Sequence, residues 1–151
     1  MADILVRRFQ IIQEQRIQTF HQLDEVHKEF LLFAPNYEDG FDGFKKNVSE
    51  VTDKFKDISK EIIEIKKKLD THHSDTNLGN LIGRVQELEE KKLQTVVDLQ
   101  LAVQQALDNP GDDLCEKNAR LIRVGLTKLC EDINELLTEI RYEAVDIDPP
   151  A

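Results

Sequence analysis

Between Phe41 and Leu69 the apolar residues Phe41, Phe44, Val48, Val51, Phe55, Ile58, Ile62, Ile65 and Leu69 recur at alternating intervals of 3 and 4. Nearly everything between them is charged or polar. That alternation lines one side of an α-helix, and its persistence is the pattern of helices packed lengthwise. A second stripe runs near the C-terminus through Ile122, Leu126, Leu129, Ile133, Leu136 and Ile140. A third is interrupted: Leu78, Ile82 and Val85, then a charged gap, then Val96, Leu99, Val103 and Leu107. The N-terminal segment is the least regular, with Leu5, Phe9, Ile12, Ile17, Phe20, Leu23, Phe30 and Leu31.

Turn-forming residues gather in APNYEDG (34–40), DTHHSDTN (70–77) and DNPGDD (108–113), and DIDPPA closes the chain. The pattern predicts an all-α domain over residues 1–148, with helices at about 3–33, 41–70, 75–107 and 110–146 and a tail at 149–151. Short loops between striped helices favour antiparallel neighbours, hence an up-down-up-down four-helix bundle with coiled-coil-like packing. Ser74, Asp75 or Thr76 is suited to cap the third helix. Asn109 before Pro110 reads as the cap of the fourth. Gly79 and Gly83 suit a close helix approach, and Gly125 predicts close packing in the fourth helix, where glycine costs about 1 kcal/mol relative to alanine.

Charge narrows the classes of partner. The net charge is −10, and residues 111–151 alone carry 10 acidic against 5 basic residues. Only residues 40–70 are mildly basic, with 8 lysines against 7 acidic residues. Phosphate backbones are bound by basic surface, so specific nucleic-acid binding is not expected. The longest apolar run is Phe30 to Ala34, far short of the roughly 20 residues that span a bilayer, so no membrane association is expected either. The opening MADILVRRFQ lacks the pattern of a secretory signal, which places the expected compartment in nucleus or cytoplasm. Cys115 and Cys130 on one helix are about 22 Å apart at 1.5 Å per residue, too far to pair.

Candidate chemistry is sparse. His72 and His73, beside Asp70 and Asp75, read as a solvated loop rather than a metal site. Asp24 and His27 have the spacing of half a di-iron motif, but no second copy exists, and His27 reads as a histidine at the core edge. No Gly-rich phosphate loop or nucleophile elbow is present, so neither enzyme activity nor a cofactor is expected. Two features point to protein contacts. Glu87 to Lys92 interrupts the third stripe; a solvated charged face is the preferred reading, with Glu89 and Lys92 as a candidate polar layer the sharper one. The run Phe30, Leu31, Leu32, Phe33 and Ala34 points around the whole circumference of its helix, so one core buries only part of it. With Tyr37 it forms a candidate partner surface, unless Tyr37 and Phe41 fold back over it.

Three stretches resemble the required for excision 1-B domain family, a small eukaryotic family linked to DNA repair. EVHKEFL (25–31) places Glu25 and His27 as in that family's Glu-x-His segment. PNYEDGFDGFKKNVSEVTDKFKDISKEIIEI (35–65) resembles its Pro-x-Tyr loop and Val-x-x-Val-Thr helix, although Asp39-Gly40 departs from a more compact Tyr-Asp-Phe loop. VQELEEKKLQTVVDLQLA (85–102) resembles a third motif through Gln86, Glu89, Lys92, Leu93, Thr95, Leu99 and Gln100, with Val85 in place of leucine. The similarity spans about residues 9–107. It implies a non-catalytic accessory role in excision repair, exercised through other proteins; stripes that cover one another separately predict a monomer or homodimer. The rival expectation is a structural coiled-coil subunit of a cytoskeletal, ciliary or trafficking assembly.

Overall fold

The computed structural model describes residues 2–72 and 77–147. Four helices account for nearly all of them: α1 (Ala2–Leu31), α2 (Glu38–His72), α3 (Asn77–Asp108) and α4 (Asp113–Ile147). They run up, down, up and down. α1 packs on α2, α2 on α3 and α3 on α4, with α4 returning to α1 and α2 lying diagonal to α4. The expected bundle is therefore the observed fold.

The stripe of α2 is buried from Val51 to Leu69. α1 turns out to be just as regular once its polar residues are counted. Ala2, Val6, Phe9, Gln13, Arg16, Phe20, Leu23, His27 and Phe30 are all buried, at intervals of 4 and 3 throughout. Ile17, expected in the stripe, is exposed because Arg16 takes the inward position beside it.

Two hydrophobic clusters result. The lower one draws on all four helices, among them Phe9 and Ile12 of α1, Ile62 and Leu69 of α2, Ile82 and Val85 of α3, and Leu136 and Ile140 of α4. The upper one is made by Phe20 and Leu23 of α1 with Val51 and Phe55 of α2, flanked by Val26, Leu93 and Val96. Among the described residues α4 contributes nothing to it. The upper half of α4 lies against α3, where Ala102 and Ala119 are both buried, each 6 residues from the turn joining their helices. Small side chains there let the two backbones approach.

Local chemistry sets the ends. Asp112, rather than Asn109, caps α4: its Oδ1 accepts from the Leu114 amide at 3.0 Å and the Cys115 amide at 3.4 Å. The chain needs Gly111 at φ 86° to make that turn, so the helix starts three residues later than Pro110 suggests. At the lower end a Cβ on Gly79 would strike the Asp70 carboxyl, so glycine there lets α2 and α3 come together. Gly125 serves no such purpose within the chain, since a Cβ there would meet nothing. The expected capping residues 74–76 and the His73 loop lie outside the described residues. No helix among the described residues is long and apolar enough to cross a membrane.

Candidate functional site

Two places hold the residues that the sequence singles out for partner contacts. The first lies between the clusters. Arg16 of α1 donates from Nη2 to Gln86 Oε1 at 2.8 Å, and its Nη1 lies 3.6 Å from Glu89 Oε2. Both charged side chains are almost wholly enclosed, at 2% and 3% exposure. Gln86 passes the connection on, donating from Nε2 to Ser59 Oγ and to Glu90 Oε1, both at 3.0 Å. Arg16, Gln86 and Ser59 thus tie α1, α3 and α2 at one level. Lys92 stands half-buried with its ammonium 4.1 Å from the centre of the Phe20 ring, a cation–π contact at the roof of the layer.

The reading of Glu87–Lys92 as a solvated face is thereby corrected for Glu89, because the α3 stripe passes through that position and α1 brings Arg16 to meet it. Burial raises the Glu89 carboxyl pKa above its ordinary range, against the opposing pull of Arg16 and Lys92. Burial likewise lowers that of Arg16, which stays charged all the same. The layer is not fully satisfied: Gln13 Oε1, Arg16 Nε and Glu89 Oε2 are buried without a hydrogen bond. An ion pair left in this state adds little to stability, because losing water costs both charges about as much as their attraction returns. His27, about three turns further along α1, is also enclosed; burial pushes its pKa down, with Gln104 and Asp24 acting in the opposite sense.

The second place is the turn between α1 and α2. Phe30 is buried, stacked on Phe44 with ring centroids 4.2 Å apart and tilted against Tyr37 at 5.2 Å. The Tyr37 hydroxyl donates to Asp108 Oδ1 at 2.8 Å, clamping the turn to the end of α3. Tyr37 therefore does fold back over Phe30. Phe41 does not: it stays exposed, with Lys45 5.4 Å from its ring, and Phe44 does the covering. Leu31 is half-buried, whereas Leu32 is 84% exposed and Phe33 44%. The Phe33 ring lies over Gly40, where any Cβ would collide with it. A groove of about 260 Å³ runs beside this corner between Val26, Phe30, Phe33, Gly40 and Phe44. The five residues of the candidate partner surface are thus split, with Phe30 and Tyr37 building the corner and Leu32 and Phe33 left outward.

Sequence reasoning singled out Glu89 and Lys92 and missed Arg16, Gln13 and Gln86. The signal was present as the heptad register of α1, which places positions 13 and 16 in line with Phe9 and Phe20. Among the α2 lysines, Lys54 donates to Gln22 at 2.9 Å and Lys66 is paired with Asp70. Among the described residues no group of three or more His, Cys, Asp or Glu side chains is placed to hold a metal ion.

A family profile described as DNA repair REX1-B matches residues 4–103, from the first turn of α1 to the last turns of α3. The required for excision 1-B domain-containing protein of Mus musculus is 30% identical over 141 residues, covering 93% of this chain and 79% of the mouse protein. Its Bos taurus counterpart is 31% identical over 140 residues, covering 93% of this chain and 75% of the bovine protein. No solved structure matches the chain.

Proposed function

This chain belongs to the DNA repair REX1-B family, and from that membership we propose that it is a non-catalytic accessory protein of DNA excision repair, acting through contacts with other proteins. The observation that carries the proposal is the family match across α1, α2 and α3, which takes in both the buried layer and the corner at Phe30–Tyr37. A role through protein contacts agrees with the distribution of charge, because a chain at −10 repels phosphate backbones except along α2. The contact surface in this proposal is the outward pair Leu32 and Phe33, presented on a corner that Phe44, Tyr37 and Asp108 hold rigid. Nucleus and cytoplasm are the compartments where such a role is exercised.

The test is removal of ultraviolet photoproducts in cells lacking the protein, with complementation by the wild-type chain and by Leu32→Glu and Phe33→Glu. Lesion removal should slow in its absence and recover with the wild type. At least one substitution should fail to restore it while leaving helicity and melting unchanged. Normal lesion removal without the protein would overturn the proposal. Damage-independent copurification with a filament or a fixed complex would put the structural-subunit reading in its place.

A further inference from the structure

α4 carries a second line of residues, opposite the one it buries. Positions 114, 117, 121, 124, 128, 131, 135, 138, 142 and 145 alternate by 3 and 4 along the whole helix, and every one is exposed. All five large apolar side chains that α4 leaves exposed fall on it: Leu114, Leu121, Val124, Tyr142 and Val145. A surface helix has no need to repeat a heptad on its solvent side. The charges are also sorted. Residues 117–130 hold four basic and no acidic side chains, and residues 131–140 four acidic and no basic ones.

The charges of this line complement one another when it is turned end for end, and its two apolar ends meet, while Leu121 falls opposite Thr138 and Val124 opposite Glu135. We propose that the outer face of α4 pairs antiparallel with α4 of a second copy of this chain, about a two-fold axis between residues 129 and 130. Leu114 then meets Val145 of the other copy, Lys117 the Tyr142 ring, and Lys128 meets Glu131. Beside the line, Arg120 faces Glu139. Symmetry makes each contact twice, as an isologous interface requires. Parallel pairing would set Lys128 against Lys128 and Glu131 against Glu131, so the sorted charges select the antiparallel arrangement. Lys128 pairs with Asp132 of its own helix at 2.9 Å and stays 69% exposed, so Glu131 of the other copy would join that pair. Gly125 lies on the flank, where nothing in its own chain calls for glycine and where an approaching helix gains room.

The pairing is independent of the repair proposal and is tested on the full chain by sedimentation equilibrium. The apparent mass should rise with concentration from 17.5 kDa towards twice that value. Lys128→Glu and Glu131→Lys should each weaken self-association about tenfold, since each turns two symmetry-related attractions into repulsions. An equimolar mixture of the two variants should associate as the wild type does, because each supplies the charge the other now lacks. The double variant K128E/E131K should also recover. A wild-type chain still monomeric at about 1 mM would overturn the proposal. So would single variants that dimerise normally, or a mixture no stronger than its components.

Discussion

The two ends of the bundle are built from the same four helices and reach different degrees of closure. Below Gln13 the buried stripes are apolar, and Phe9 of α1 shares one cluster with Leu136 and Ile140 of α4. Above it the core is a three-helix cluster around Phe20 and Phe55, whose rings meet edge to face at 4.7 Å. Between α1 and α4 the seam opens into a groove of about 580 Å³, bordered by Gln13, Ile17, His21, Leu137 and Arg141. The edge of α1 that faces α4 turns polar at Gln13, and polar side chains repay less for losing water than the aliphatic ones below. Closure of the core follows apolar area, and the polar run that begins at Gln13 marks where the seam widens.

The strongest way to break this contrast is to cut into each core and compare. Phe9→Ala in the four-helix end should cost about 3–5 kcal/mol, the usual range for a buried aromatic. Phe55→Ala should cost visibly less within that scale, because its cluster lacks a fourth wall and collapses more readily. Equal losses in urea titrations would mean that the upper end is as tightly packed as the lower.

The dividing layer comes next. Glu89→Ala should destabilise by about 3 kcal/mol, leaving Arg16 charged and enclosed. Replacing both partners together, as in R16L/E89L, should be neutral or stabilising by about 1–4 kcal/mol. A double variant as unstable as the single one would show that the pair holds the bundle up rather than setting its register.

Acidity sharpens the same point. Since burial raises the folded pKa of Glu89, the native state holds that proton more tightly than the unfolded chain does. The resulting stabilisation is complete below the ordinary glutamate value of about 4.3 and is lost as pH rises through the folded value. Measured from pH 4 to pH 7, the wild type should therefore lose ground relative to Glu89→Gln. A gain would mean that Arg16 outweighs burial. The smallest effect belongs to the open seam, where Ile17→Gln should change stability by less than about 0.5 kcal/mol, the usual range for exposed sites. A loss above 1 kcal/mol would show the groove closed in solution.

The regularity of α2 was legible because its stripe is wholly apolar, so spacing alone gave its buried face. α1 hid the same spacing behind Gln13, Arg16 and His27, which a reading of apolar residues skips, and Ile17 drew the stripe off by one position. Glu89 and Lys92 stood out as an interruption in α3. Nothing local to α3 says whether an interruption faces water or an arginine, since that depends on a helix about 70 residues away in sequence. The corner at Phe30 was visible as a run of apolar residues. Which of them would turn outward depended on Phe44 and Asp108, and therefore on how three helix ends come together.

The one-sided support of α4 has a consequence for how amide protons exchange with solvent. The upper half of α4 adds nothing to the upper cluster and packs on α3, while its lower half is held by the four-helix core. Freeing the upper half breaks its contacts with α3, at Ala119 and the half-buried Ile122 and Leu126, and leaves both hydrophobic clusters intact, so it can detach while the remainder stays folded. In native-state hydrogen exchange those amides should open through a partial unfolding event well below the global free energy, with weak denaturant dependence. Amides near Ile133 to Ile140 should open only when the whole chain does. A single continuous helix would then record two stabilities, with the change between them level with Arg16.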